Sequence, residues 1–152
     1  MLAVIRIRGS VDTSRDVEAT LRMLKLNYVN NCILVPENED YLGMLKKTKD
    51  YITWGKIDKQ TLVELLKKRG RILGDKQMEE KNLKEITKFS NFEELSDALI
   101  ESKINLKDLK EIKPVFKLNS PRHGLRAKRL PYPRGALGNR KEKINEMLMK
   151  MI

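Results

Sequence analysis

The chain has 152 residues, with 32 Lys and Arg against 21 Asp and Glu and a formal charge of +11, so its field gathers polyanions and makes nucleic acid the first partner to test. Hydrophobic residues make up 40% of it, which excludes a wholly disordered charged chain, and the length suits one core with appended segments. Cys32 is the only cysteine, which rules out an internal disulfide and a zinc site of several thiolates and fits a cytoplasmic protein.

The opening apolar run, Met1 to Ile5, is too short for a signal peptide or a membrane span, and no membrane partner is expected. Ala3 to Arg8 predicts a strand, with Ala3, Ile5 and Ile7 on one face and Val4, Arg6 and Arg8 on the other. Gly9-Ser10 breaks it. Thr13 or Ser14 can cap a helix over about Arg15 to Leu26, in which Val17, Leu21 and Leu24 share a face and Asp16 lies near the positive end of the dipole. Cys32 to Val35, closed by Pro36, is a continuous apolar run expected of a strand buried on both faces. A second helix starts between Glu37 and Asp40 and runs to about Asp50, with Tyr41, Leu42, Leu45 and Thr48 inward and Lys46, Lys47 and Lys49 outward. Tyr51 to Ile57 predicts a third strand, after which Asp58 caps a helix carrying Leu62, Leu65 and Leu66. Strands alternating with helices imply crossover connections and helices packed on a sheet, an α/β sandwich whose apolar faces are complete by about Leu73.

From Lys76 to Ile112 seven Lys face nine acidic residues, and Phe92, Leu95, Leu99 and Ile100 mark a short amphipathic helix in a mildly acidic insert. Val115 to Leu118 is a candidate edge strand. The stretch to about Arg140 is rich in Pro, Gly and Arg without apolar periodicity, so it is expected to stay out of helix and sheet and to add nothing to a core. Asn139 can cap a closing helix with Ile144, Met147, Leu148 and Met151 on one face.

Charge is concentrated at that end: residues 113–152 hold eleven basic and two acidic side chains, against 21 and 19 in the first 112. Arg122, His123, Arg126, Lys128, Arg129, Arg134, Arg140 and Lys141 recur among prolines and glycines, where they cannot neutralise one another and an RNA backbone would. Arginine adds a planar donor fork suited to phosphate oxygens. Such a segment is expected to be mobile when free and ordered against RNA; the bland alternative is a solvated basic tail. A second cluster runs from Lys46 to Arg71 and includes Lys67, Lys68, Arg69 and Arg71, although cations there also suit a helix C-terminus. Trp54 beside Gly55 offers either a stacking platform for an unpaired base or a core side chain. With Arg6 and Arg8 of the first strand, these are the candidate RNA contacts. His123, the only histidine, has no Cys or carboxylate at ligand spacing, so no metal site or triad is read there. Gly9-Ser-Val-Asp lacks the second glycine of a dinucleotide loop and the Lys of a P-loop, and no cofactor is expected.

Val4-Ile-Arg-Ile-Arg-Gly, Thr20-Leu-Arg-Met-Leu-Lys-Leu, Asn31-Cys-Ile-Leu-Val-Pro, Gly43-Met-Leu, Lys49-Asp-Tyr-Ile-Thr-Trp-Gly and Lys67-Lys-Arg-Gly-Arg together resemble the large-subunit ribosomal protein family numbered thirty in the bacterial scheme and seven in the eukaryotic one. Lys113-Pro-Val-Phe-Lys-Leu and Pro121-Arg-His-Gly extend the likeness. The short bacterial form covers only the first sixty or so residues, so the insert and tail match the long archaeal form. One departure is His123, where the family pattern has a second glycine. The resemblance implies a ferredoxin-like βαβαβ sandwich, which the reading of the chain places at 1–74, ahead of a helical insert at 75–112 and a basic extension with an edge strand and terminal helix at 113–152. It further implies contacts to the large-subunit ribosomal RNA, a position near the small ribosomal RNA of that subunit, neighbouring ribosomal proteins, and no catalytic activity. A free nucleic-acid-binding regulator or chromatin protein is the second reading, but no helix-turn-helix or zinc-finger pattern supplies a sequence-reading element. An enzyme ranks third, since no nucleophile and base fall at suggestive spacing.

Overall fold

The computed structural model describes residues 1–79, 83, 87, 89, 91–101, 104, 106, 109, 111–125 and 127–152. The elements are β1 (Leu2–Arg6), α1 (Arg15–Met23), β2 (Asn31–Val35), α2 (Glu39–Lys47), β3 (Ile52–Lys56), α3 (Lys59–Arg69), α4 (Phe92–Ile100), β4 (Val115–Lys117), β5 (Gly138–Asn139), a 3-10 turn at Lys141–Lys143 and α5 (Ile144–Met151). The expected α/β, ferredoxin-like layering is present. One sheet in the order β4-β2-β1-β3-β5 carries helices on both faces.

The connections differ in part from expectation. β1 runs antiparallel to β2, with Val4 opposite Ile33, and antiparallel to β3, with Val4 opposite Trp54. Hence α1 is not a crossover. After nine helical residues the chain returns to the end of β1 that it left, where Asn30 N–H donates to Arg6 O at 2.8 Å. The crossover is β2-α2-β3, which spans β1 and leaves β2 and β3 parallel to each other.

Both faces of the central strands are covered, so β1 and β2 are buried along their whole length. Leu2, Val4, Ile33, Val35, Ile52 and Trp54 meet Leu21, Leu24, Leu26 and Leu45 from the side of α1 and α2. Ala3, Ile5, Cys32, Leu34 and Phe116 meet the layer made by α3, α4 and α5. Burial pushes the Cys32 thiol up to about 12, so it serves as a small apolar side chain. The α3 cap is as expected, Asp58 Oδ1 accepting from Thr61 N–H at 2.8 Å, and Leu62, Leu65 and Leu66 are fully buried. Ser14 stands at the α1 N-cap position without a side-chain capping bond. In the insert, α4 buries Phe92, Leu95 and Leu99 as its spacing predicted. Of the other residues expected to be helical there, 80–82, 84–86, 88, 90, 102, 103, 105, 107, 108 and 110 lie outside the described residues.

The last forty residues correct three expectations. First, the sheet face is not complete by Leu73: Phe116, Leu118, Ile144, Met147, Leu148 and Met151 fill it, because one layer of α3 and α4 leaves part of the face open. Second, the Pro- and Gly-rich stretch does enter core and sheet. Ala136 and Leu137 are buried, and β5 pairs parallel with β3, Thr53 opposite Gly138. Third, Asn139 does not cap α5; its Oδ1 accepts from Lys141 N–H at 2.8 Å and turns the chain one step earlier. Gly55 is what lets this turn close on the sheet, because a Cβ there would collide with Lys141 O and press on the Ile144 side chain.

Candidate nucleic-acid interface

Three of the arginines and aromatics singled out from the sequence are used internally. Arg6 is only 2% exposed. Its NH1 donates to Leu26 O at 2.7 Å and Asn27 O at 2.9 Å, its Nε to Arg8 O at 2.8 Å, and its NH2 to Ser10 Oγ at 2.8 Å. Desolvation lowers its pKa, partly offset by Glu18 and Tyr51. With its donors turned onto the flanking loops, this guanidinium braces the fold and is not presented to a phosphate. Trp54 is 8% exposed within the α1/α2 core, so it is the core side chain and not the stacking platform. Arg140 donates from Nε to Thr53 Oγ1 at 3.1 Å and from NH2 to Gly135 O at 3.3 Å, and lies 5.2 Å from the Tyr132 ring centroid. Desolvation lowers its pKa, with Tyr132 opposing. It clamps β5 to β3.

The remaining candidates form three groups. Arg122, His123, Lys128, Arg129 and Arg134 are exposed along the tail, and Lys141 on the turn before α5; Arg126 lies outside the described residues. The tail backbone beneath them is tied down. Asn119 N–H donates to Met151 O and Arg122 N–H to Lys150 O, each at 3.0 Å, while Leu137 N–H closes the 130–137 loop on Leu130 O at 3.1 Å. His123 adopts φ +66, the left-handed conformation that glycine takes without strain. The second group lies at the end of α2: Lys46, Lys47 and Lys49 are exposed, and Arg8 stacks 4.9 Å from the Tyr51 ring and donates to Asp50 O at 3.1 Å beside them.

The third group is the end of α3. Lys67 and Lys68 are exposed; Lys68 pairs with Glu64 at 2.9 Å, and Lys67 lies 6.0 Å from the Phe92 ring. Arg69 donates from NH2 to Ile152 O at 2.9 Å. Arg69 and Arg71 turn into a cleft of roughly 380 Å3 that they share with Asp75, Lys113, Val115 and Lys117. Sequence reasoning did not include Lys113, Lys117 or Asp75. The signal was available in part: strand alternation places Lys113, Val115 and Lys117 on one side, opposite the buried Phe116. What the alternation cannot show is that this side meets Arg69 and Arg71.

Among the described residues no group of three or more His, Cys, Asp or Glu is placed to hold a metal ion, and no helix is long and apolar enough to cross a membrane. The fold and surface therefore define a class: a small, strongly basic α/β protein, one sheet between helical layers, with its exposed cations gathered in patches. The family model for ribosomal protein L30p/L7e matches residues 2–52, the stretch from β1 to the start of β3. Over 152 residues the chain is 41% identical to large ribosomal subunit protein uL30 of Methanocorpusculum labreanum, and over 151 residues 43% identical to that of Archaeoglobus fulgidus, with 99% of each chain covered in both cases. The protein of the same name from Methanococcus maripaludis is 48% identical over 160 residues, covering 99% of this chain and 98% of the other. The chain belongs to the uL30 family of large ribosomal subunit proteins.

Proposed function

We propose that the chain is a structural constituent of the large ribosomal subunit, binding ribosomal RNA and stabilising its fold without a catalytic step. The observation that carries this is the full-length likeness to relatives named for that subunit, which extends through the insert and the basic tail. Its place of action is the cytoplasmic ribosome. Physically, the exposed cations of the tail, of α2 with Arg8, and of the α3 end supply phosphate contacts, each of which releases condensed counterions. Because much of the tail backbone is bonded to α5 or folded on itself, those cations are offered from a fixed track. The large-subunit RNA is the main partner; the small ribosomal RNA of the subunit and neighbouring ribosomal proteins are the further partners of this reading.

Sedimentation of cell extract tests it. The protein should co-migrate with large subunits after a moderate salt wash, whereas migration as free protein or with DNA favours a free regulator. Binding to ribosomal RNA should also weaken steeply with salt. A log-log slope shallower than about three, at roughly 0.7 to 0.9 per phosphate contact, contradicts binding through several phosphates.

A further inference from the structure

The cleft at the end of α3 is built by two stretches of chain some forty residues apart. Arg71 pairs with Gln77 and Ile72 with Ile112, and Lys113 N–H donates to Arg71 O at 2.9 Å, so the chain leaving the insert lies alongside the chain entering it. Between them is a tight turn in which Asp75 N–H donates to Ile72 O at 3.1 Å, with φ +90 at Gly74 and +62 at Asp75. The turn aims the Asp75 carboxylate into the cleft, where Lys113 Nζ lies 2.6 Å from Oδ1. That bond, then the charge of Lys113, Lys117 and Arg71, holds the carboxyl below its ordinary pKa. Arg71, Lys113 and Lys117 thus face one carboxylate, an excess of two positive charges, with Arg69 beside them engaged by Ile152 O. Moreover, Arg69 Nε is buried with no hydrogen-bond partner among the described residues, although its NH2 is taken by Ile152 O.

The geometry points to a seat for one RNA phosphodiester group in this cleft, between Arg71, Lys113 and Lys117, with Asp75 as the internal counter-ion that holds the site until RNA arrives. This rests on the ribosomal RNA reading above and deepens it. A solvent-exposed carboxylate-ammonium pair such as Lys113–Asp75 contributes little in water, so exchange of the lysine onto a phosphate costs little. A phosphate oxygen accepts several charge-assisted bonds at once, and Arg71 offers a planar donor fork for them. An internal carboxylate also disfavours anions that cannot engage all the cations together, which makes the site selective for a contact delivered by a docked RNA strand.

The test uses the full chain and transcribed large-subunit ribosomal RNA, with affinity measured across a salt series and thermal melting as a check of folding. K113A/K117A should bind at least tenfold more weakly and lose about one from the log-log salt slope. D75N should bind at least threefold more tightly, and more so than E93Q, which removes an equal charge on the exposed side of α4. Should K113A/K117A melt early, the comparison of D75N with E93Q still decides: equal effects mean that Asp75 acts only through net charge, and the seat is overturned. The seat is also overturned, with RNA binding intact, if K113A/K117A keeps native affinity and slope while R122A/R129A/R134A weakens binding. If the native chain shows no salt-dependent binding at all, the ribosomal RNA reading falls and the seat with it.

Discussion

The first 112 residues and the last forty differ in net charge, +2 against +9, yet they pack on the same sheet. The first region supplies the three central strands and the helices α1 to α4. The second supplies both edge strands and α5, burying Phe116, Leu118, Ala136, Leu137, Ile144, Met147, Leu148 and Met151 among residues of the first. Charge is therefore segregated along the chain while the core is not. A basic segment that also completes a core presents its cations from anchored backbone, and less conformational entropy is then lost when it meets RNA.

The hardest blow to this comparison would be a first region that folds alone. A chain ending before Lys113 loses all eight of those buried side chains. Truncating just one large core side chain costs about 2–5 kcal/mol, and a domain has only about 5–15 kcal/mol in total. We expect no cooperative thermal or denaturant transition in the truncated chain. A sharp two-state melt would mean that the tail is an appendage and that its burial is incidental.

Next in size is the effect of the tail on binding. Arg122, Arg129 and Arg134 are exposed, so R122A/R129A/R134A should leave stability within roughly half a kcal/mol while removing charge-assisted bonds of about 1.5–3 kcal/mol each from the RNA complex. Affinity for ribosomal RNA should fall by two orders of magnitude or more. Paired melting and binding curves measure it, and a variant that melts several degrees lower but binds normally would assign the tail to structure alone.

Arg6 sharpens the comparison from the other side, because here a cation of the first region serves the fold. Arg6→Ala strands Leu26 O, a buried acceptor, and frees the loops that Arg8 O, Asn27 O and Ser10 Oγ help to hold. The expected loss is about 2–4 kcal/mol of stability, read from the denaturation midpoint, with RNA affinity per folded molecule unchanged.

Much of this was legible in the sequence where a period and a cap coincided. The run Cys32 to Val35, the trio Leu62, Leu65 and Leu66 behind Asp58, and the four buried positions of α5 each follow from spacing alone. Ala136 and Leu137 did not, because Pro131, Pro133, Gly135 and Gly138 around them erase any apolar period and their burial depends on pairing with a strand some eighty residues earlier. Alternation put Arg6 on a face but carried no trace of the loop carbonyls that claim it. Likewise Trp54 had the composition of a platform, and only the packing of α1 and α2 over β3 closes it off. Sites made by two distant stretches, such as Arg71 with Lys113, leave no local signal.

The smallest effect probes how acid pH would erase the contrast between the regions. Nineteen of the 21 acidic residues lie in the first region, so lowering the pH unmasks cations there while the tail changes little. Glu64 on α3 reports this. A hydrogen bond from Lys68, then the charges of Lys68 and Lys67, lower its pKa from the ordinary 4.5. A carboxyl held more acidic in the folded chain binds its proton less readily there than in the unfolded chain. Its contribution to stability is therefore complete above the ordinary value and lost as the pH falls from there through the lowered folded-state value. The pair is an exposed i,i+4 contact, worth about 0.3–0.5 kcal/mol. Native chain and Glu64→Gln should thus differ by that amount in denaturation at pH 7 and converge as the pH falls through the lowered folded-state value. Asp75, held low by Lys113, shifts in the same direction, so its loss of charge should let the Lys113 cleft bind anions more readily in the same acid window. A gap between native and Glu64→Gln that persists in acid, where the carboxyl is protonated in the folded and unfolded chain alike, would show that Glu64 acts through packing of its methylenes and not through its charge.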